Sequence, residues 1–338
     1  MYNILLVFTG GTIGSSSIDG TINISKQQSY KLLEMFTQLD AGNKTINFNV
    51  IQATQILSEN LFPTFWETLI NTIEAENPNQ YDGIIITHGT DTLAFSASAL
   101  GLYFNKLEIP LLLVSSDYPL EDPRANGLKN FTCAIQFIKQ RKEKGVFVPY
   151  TNNCTETMLH HGTRLASCLQ LSGDFISVQS KAYLKFQNNQ FELQHANNSN
   201  TLVTCQLKPL FSTKILLVKP YPGLDYSSLA LDNVEVVLHD LYHSGSACST
   251  DEWGNNHSLV NFIKKCKRWN IPFYMAPAIN HINVYQSTKQ LFEHDAKMIW
   301  NMSLESAYTK LLLGYGNFSD ESLIEEFLQQ NIAGEIIA

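Results

Sequence analysis

MYNILLVFTGGTIG (Met1–Gly14) and YDGIIITHGTDTLAFSASAL (Tyr81–Leu100) are built alike. Each carries an apolar, β-branched run of strand length that breaks into a loop of glycines and hydroxyl residues, and the second continues with helical period. Working outward, the same alternation predicts strands at Asn3–Phe8, Asn47–Ala53, Gly83–Thr87, Ile109–Val114 and Gly145–Val148. Helices are predicted between them, near Lys26–Leu39, Pro63–Glu76, Thr92–Phe104 and Ala125–Lys142. Apolar strands alternating with helices are the signature of a parallel sheet covered on both faces.

A second alternation begins at Thr213, with strands Lys214–Val218, Val234–His239 and Phe273–Ala276 and helices near Ser258–Trp269, Val284–His294, Leu304–Gly314 and Asp320–Gln330. Between the two lies FQNNQFELQHANNSNT (Phe186–Thr201), poor in apolar anchors, which predicts an exposed hairpin leading into an irregular connection. The expected fold class is therefore α/β, with a larger N-terminal domain holding a mainly parallel sheet flanked by helices and a smaller C-terminal α/β domain. The expected divisions are 1–185, a hairpin and linker at 186–212, and 213–338.

Composition narrows the function. The 338 residues are 44% hydrophobic, and 23 Lys and Arg against 31 Asp and Glu give a net charge of −8. No broad positive field exists to hold phosphates, so neither nucleic acid nor a membrane surface is an expected partner, and a small neutral or zwitterionic ligand fits better. The 6 cysteines show no CxxC and no paired spacing, which suits a reducing compartment. No apolar run approaches a membrane span, and the first residues read as a strand rather than a signal peptide. The expectation is a soluble, cytoplasmic protein.

In a parallel sheet, ligands bind outside the carboxyl ends of the strands. Those ends carry Thr9–Gly14, then Ser58 and Glu59, then His88, Gly89, Thr90, Asp91 and Thr92, and then Ser115, Ser116 and Asp117. Two facing glycine-hydroxyl loops make a polar crevice whose N–H groups a ligand can approach closely. Taken alone, TGGTIG reads first as a tight turn with a helix-capping threonine, and its glycines do not make the dinucleotide spacing GxGxxG. His88, without other ligands at metal spacing, reads as a hydrogen-bonded structural residue.

Together, TGGTIG and HGTDT resemble the L-asparaginase family, more closely its cytoplasmic, type I branch. NMSLESAYTKLLL and NIAGEI extend the likeness to the C-terminal part of the chain. The resemblance implies hydrolysis of a side-chain amide, asparagine to aspartate and ammonia, with no metal or cofactor. It also implies homodimers or homotetramers whose subunits close each other's sites. By motif match Thr12 is the nucleophile, Thr90 assists proton transfer or positions water, and Asp91 holds the α-ammonium. Ser58 contacts the α-carboxylate, and Gly11 with the loop backbone helps supply oxyanion donors. Glu59, Gly89 and Ser116 complete the candidate substrate contacts.

The departures fall on the groups that make the hydroxyls reactive. Where the family has a lysine, in a segment of the type RGNRTTK, HHGTRLAS keeps Arg164 but places Ser167. A serine supplies neither the cation nor a comparable proton relay at neutral pH. The lid tyrosine is matched by Thr21, with Tyr30 nine residues on. Asp117 replaces a glutamine, Glu59 a neutral residue, and Ser246 matches the asparagine lent by a neighbouring subunit. Three readings stay open: an amidohydrolase with a substitute relay, such as Lys181, Lys185 or water on Ser167; one with an altered substrate; or a pseudoenzyme that binds a small amino acid or acts in assembly.

Overall fold

The computed structural model describes residues 1–18, 21–24, 26–39, 45–153, 155–196, 202–280 and 283–337, with only the backbone described over most of 14–30. In chain order the strands are β1 (Tyr2–Gly10), β2 (Ser15–Ile18), β3 (Thr21–Ile24), β4 (Ile46–Ile56), β5 (Gly83–Thr87), β6 (Pro110–Val114) and β7 (Gly145–Thr151). They continue with β8 (Thr157–His161), β9 (Leu184–Gln187), β10 (Gln190–Leu193), β11 (Ile215–Val218), β12 (Val236–His239), β13 (Phe273–Ala278) and β14 (Lys297–Trp300). The helices are α1 (Lys26–Leu39), α2 (Thr64–Ala75), α3 (Leu93–Tyr103), α4 (Gly127–Gln140), α5 (Leu259–Arg268), α6 (Gln286–Phe292), α7 (Leu304–Asn317) and α8 (Glu321–Gln329).

The chain divides into two compact units, 1–210 with 332–334, and 211–331 with 335–338. The first holds an eight-stranded sheet in the order β10-β9-β8-β7-β6-β5-β1-β4. From β4 to β7 it is parallel, and β1 lies between β4 and β5, with Gly10 opposite Ile56 and Phe8 opposite Thr87. This parallel part is the sheet that the alternation predicts. Every residue of β5 and β6 is buried, which is why GIIIT and PLLLV are apolar on both faces. Leu93–Leu102 of α3 is buried except Phe95, so the helix carries no polar stripe. Trp66 Nε1 donates to Ser96 Oγ at 2.9 Å, satisfying a buried polar pair where α2 meets α3.

Beyond β7 the sheet turns antiparallel through β8, β9 and β10, an extension the alternation does not predict in full. The expected hairpin is shorter and earlier: β9 and β10 span Leu184–Leu193, joined by Asn188 and Asn189, both with left-handed φ, as asparagine tolerates. Residues 197–201 of the expected connection lie outside the described residues.

The second unit holds the parallel sheet β11-β12-β13-β14. α5 buries Leu259, Phe262, Ile263 and Cys266, an i, i+3, i+4, i+7 stripe, and keeps its lysines outside. Ser303 Oγ caps α7 by accepting from Ser306 N at 3.1 Å. Lys310, fully buried on α7, donates to Glu335 Oε1 at 2.5 Å and to the Leu328 carbonyl at 3.3 Å.

Four histidines are held neutral by burial: His88 and His160 at about 4, His161 at about 3 and His239 at about 4. An unfolded chain takes up these protons from pH ~6.5 downward, and the folded chain resists until about pH 4. Their contribution is therefore complete above pH ~6.5 and lost as the pH falls toward 4. A urea midpoint followed across that window is expected to drop steeply. A midpoint that stays flat from pH 6.5 to 4 would show that these imidazoles titrate normally.

Candidate active site

Parallel pairing of β1 with β4 and β5 brings three loops to one edge. Gly11 and Gly89 meet across that edge. Gly11 has φ +81°, and a Cβ there would stand 2.4 Å from Gly89 N and 2.6 Å from the His88 carbonyl carbon. A Cβ on Gly89 would stand 2.3 Å from Ser58 Oγ. The two backbones and the Ser58 side chain thus pack directly together, which only glycine permits at either position.

The polar groups tie the loops to each other. Thr92 Oγ1 donates to the Ser58 carbonyl at 3.0 Å, and Ser58 Oγ lies 3.5 Å from Asp91 Oδ2, the long limit for a hydrogen bond. Beneath them Thr9 Oγ1 donates to the Thr87 carbonyl at 2.5 Å. Thr12 opens a short 3-10 turn and, like Thr90, is half-buried, while Asp91 and Glu59 are exposed. His88 Nδ1 lies 2.7 Å from the Gly89 carbonyl, the local contact expected of a structural histidine.

Gly11, Ser58, Gly89 and Asp91 are thus brought together by direct contact, with Thr12 and Thr90 in the same two glycine loops. Ser116 differs, because it is fully buried. Its hydroxyl donates to the Tyr118 carbonyl at 2.6 Å and accepts from Gly127 N at 3.1 Å, an arrangement that caps the start of α4. Thr21 lies on β3, and its side chain, like that of Tyr30, is outside the described residues. Ser246 lies in the second unit, with its hydroxyl 2.7 Å from Ser244 Oγ.

Of the two lysines suggested as a relay, Lys185 stands far along the sheet from the glycine loops. Lys185 Nζ pairs with Glu156 Oε1 at 3.7 Å, and β9 stands five places from β1. At ~4.8 Å per strand that is roughly 24 Å, several times the reach of a lysine. Lys181 is exposed on the connection leading into the same strand.

Two residues, Cys168 and Asp174, escaped the sequence reading. Cys168, one residue past Ser167, has its thiol pushed up to about 11 by burial and by the charges of Asp91, Asp174 and Asp117, so it stays protonated at neutral pH. Burial raises Asp117 as well, while the amides of Asn126, Tyr118 and its own residue pull the other way. Asn126 N donates to Asp117 Oδ1 at 3.3 Å, and Asp174 Oδ1 accepts from Asn153 N at 2.9 Å. Neither residue forms a sequence motif with the glycine loops.

A family model described as the N-terminal domain of asparaginase matches residues 3–198. One subunit of the glutamyl-tRNA(Gln) amidotransferase of Methanosphaera stadtmanae is 26% identical over 355 residues, covering 99% of this chain and 76% of that relative. Its counterpart from Methanococcus vannielii is 30% identical over 356 residues, covering 99% and 79%. Among solved structures, the L-asparaginase of Thermococcus kodakarensis aligns with a TM-score of 0.80 at 23% identity, covering 99% of both chains. L-asparaginase I of Vibrio cholerae aligns with a TM-score of 0.80 at 22% identity, covering 100% of this chain and 99% of its own. These likenesses carry the fold, and the family match carries the kinship: the chain belongs to the asparaginase family.

Proposed function

We propose that the chain hydrolyses a side-chain carboxamide, that of L-asparagine or L-glutamine, to the acid and ammonia. The observation that carries this reading is the Gly11–Gly89 contact, which sets the two threonine loops edge to edge beside Ser58 and Asp91. Thr12 Oγ attacks the amide carbon, and loop N–H groups stabilise the oxyanion that forms. Collapse of the tetrahedral intermediate expels the amine as ammonia, which carries away the proton that Thr12 gives up on attack. Water then cleaves the threonine ester, with Thr90 positioning that water or relaying its proton. Asp91 binds the substrate ammonium and Ser58 its carboxylate. The amidotransferase names of the curated relatives are the reason glutamine stands beside asparagine.

Nothing of lysine chemistry stands at Ser167. Loss of a proton-relay group costs roughly 10²- to 10⁴-fold in rate, so turnover is expected to be slow. Ser167→Lys is expected to raise ammonia release from the better amide. A folded Ser167→Lys protein with no gain would argue that the pocket serves another ligand. The deciding assay is ammonia release from millimolar asparagine and glutamine, with ligand-induced thermal shift read in parallel. A shift without release would replace the hydrolase reading with that of a binding protein on the same scaffold. The expected assembly is a homodimer or homotetramer, which light scattering would check.

A further inference from the structure

The segment leaving β8 leads to Ser167 with little regular structure of its own. Its one turn, Gly162–Arg164, is pinned from two sides. One side is α3, which begins just past Asp91 and Thr92. A Cβ on Gly101 would stand 2.7 Å from Thr163 Cγ2, and one on Gly162 would stand 3.0 Å from the Ala97 carbonyl oxygen. The other side comes from far along the chain. Thr163 Oγ1 donates to the Ala333 carbonyl at 3.0 Å, and Arg164 Nε donates to the Gly334 carbonyl at 2.6 Å.

Residues 332–334 accordingly cluster with the first unit, although their sequence neighbours cluster with the second. Gly334 holds φ +76°, a left-handed conformation that glycine adopts without steric cost. Past the turn, Leu165 bridges to Ser177, and Ala166 N donates to the Ile176 carbonyl at 3.0 Å. Ser167 and Cys168 follow at once, Ser167 at the position where the family carries its lysine.

We propose that Arg164 is a positioning residue and that Ala333 and Gly334 are a working part of the site, their carbonyls fixing the turn that leads into Ser167. This inference rests on the amide-hydrolase reading. A planar guanidinium on a carbonyl is a directional, charge-assisted contact, stronger than a neutral one and poorly imitated by lysine. A displacement of even 1 Å in a group beside the reacting atoms can cost about 10²-fold in rate, so a clamp at this place acts on turnover before it acts on affinity.

The test compares Arg164→Ala, Arg164→Lys and Thr163→Val with the unchanged protein by hydrogen exchange and steady-state ammonia release. Arg164→Ala is expected to speed exchange across 162–168 and to lower kcat by about tenfold or more with KM nearly unchanged. Added guanidinium ion at non-denaturing concentration should restore part of kcat. Arg164→Lys should recover less, and Thr163→Val, which keeps the methyl against Gly101, should lose less than Arg164→Ala. Faster exchange with kcat untouched would leave only a structural clamp and overturn the proposal. If the unchanged protein releases no ammonia, the hydrolase reading fails by itself. The exchange arm then decides the clamp, which falls if 162–168 exchange equally in Arg164→Ala.

Discussion

Thr12→Ala is expected to abolish ammonia release, by roughly 10⁴-fold or more, while the protein stays folded and still responds to ligand. Thr12 is half-buried at the start of a short turn, so trimming it removes little packing, and a stability change within about 1 kcal/mol follows. What disappears is the one oxygen proposed to bond to the amide carbon. Thr90→Val, which keeps the shape and removes only the hydroxyl, is expected to cost roughly 10²- to 10⁴-fold, as loss of a proton-handling group does. Measuring ligand-induced thermal shift on both variants separates chemistry from binding: a shift preserved without release assigns the hydroxyls to the reaction. Retained turnover in Thr12→Ala would remove the threonine from the mechanism and the proposed site with it.

The second large effect belongs to the glycines. Gly11→Ala is expected to destabilise the first unit by about 2–5 kcal/mol, the sum of a left-handed backbone penalty and overpacking. Its Cβ would meet only backbone, namely Gly89 N, the His88 carbonyl carbon and Gly89 Cα, so no side-chain change can relieve it. Gly89→Ala is different in kind. Gly89 has no left-handed φ, and its closest conflict is with Ser58 Oγ and Cβ at 2.3 and 2.6 Å. The double variant Gly89→Ala with Ser58→Gly is therefore expected to recover about 1–3 kcal/mol over the sum of the singles in a double-mutant cycle. Urea denaturation measures both. Additivity within ~0.5 kcal/mol would mean that the loops separate easily and that their contact does not define the crevice.

The parallel half of the large sheet was legible because strands buried on both faces must be apolar throughout, and NILLVF, GIIIT and PLLLV are. The antiparallel extension was not. β8, TMLHH, ends in two histidines that burial holds neutral and was not among the predicted strands, and β9 and β10 span four residues each. β14, KMIW, escaped for the same shortness. Lys310 lies within a predicted helix, and nothing local announces that Glu335 will meet it in the interior. At the site, the glycine and threonine loops were legible since each is a strand end, and parallel order brings strand ends together. Cys168, Asp174 and the Arg164–Gly334 bond were not, because they rest on contacts between distant parts of the chain.

That last bond sets a schedule for biosynthesis. Thr163 and Arg164 leave the ribosome 170 residues ahead of Ala333 and Gly334. At ~5–20 residues per second, about 10–30 s of translation separates the Thr163–Arg164 turn from the carbonyls that hold it. During that interval the large sheet has all of its strands but lacks its last fastening. A nascent chain halted before residue 333 would carry the glycine loops without the clamp, so the 163–164 turn stays unfastened until those two carbonyls are made.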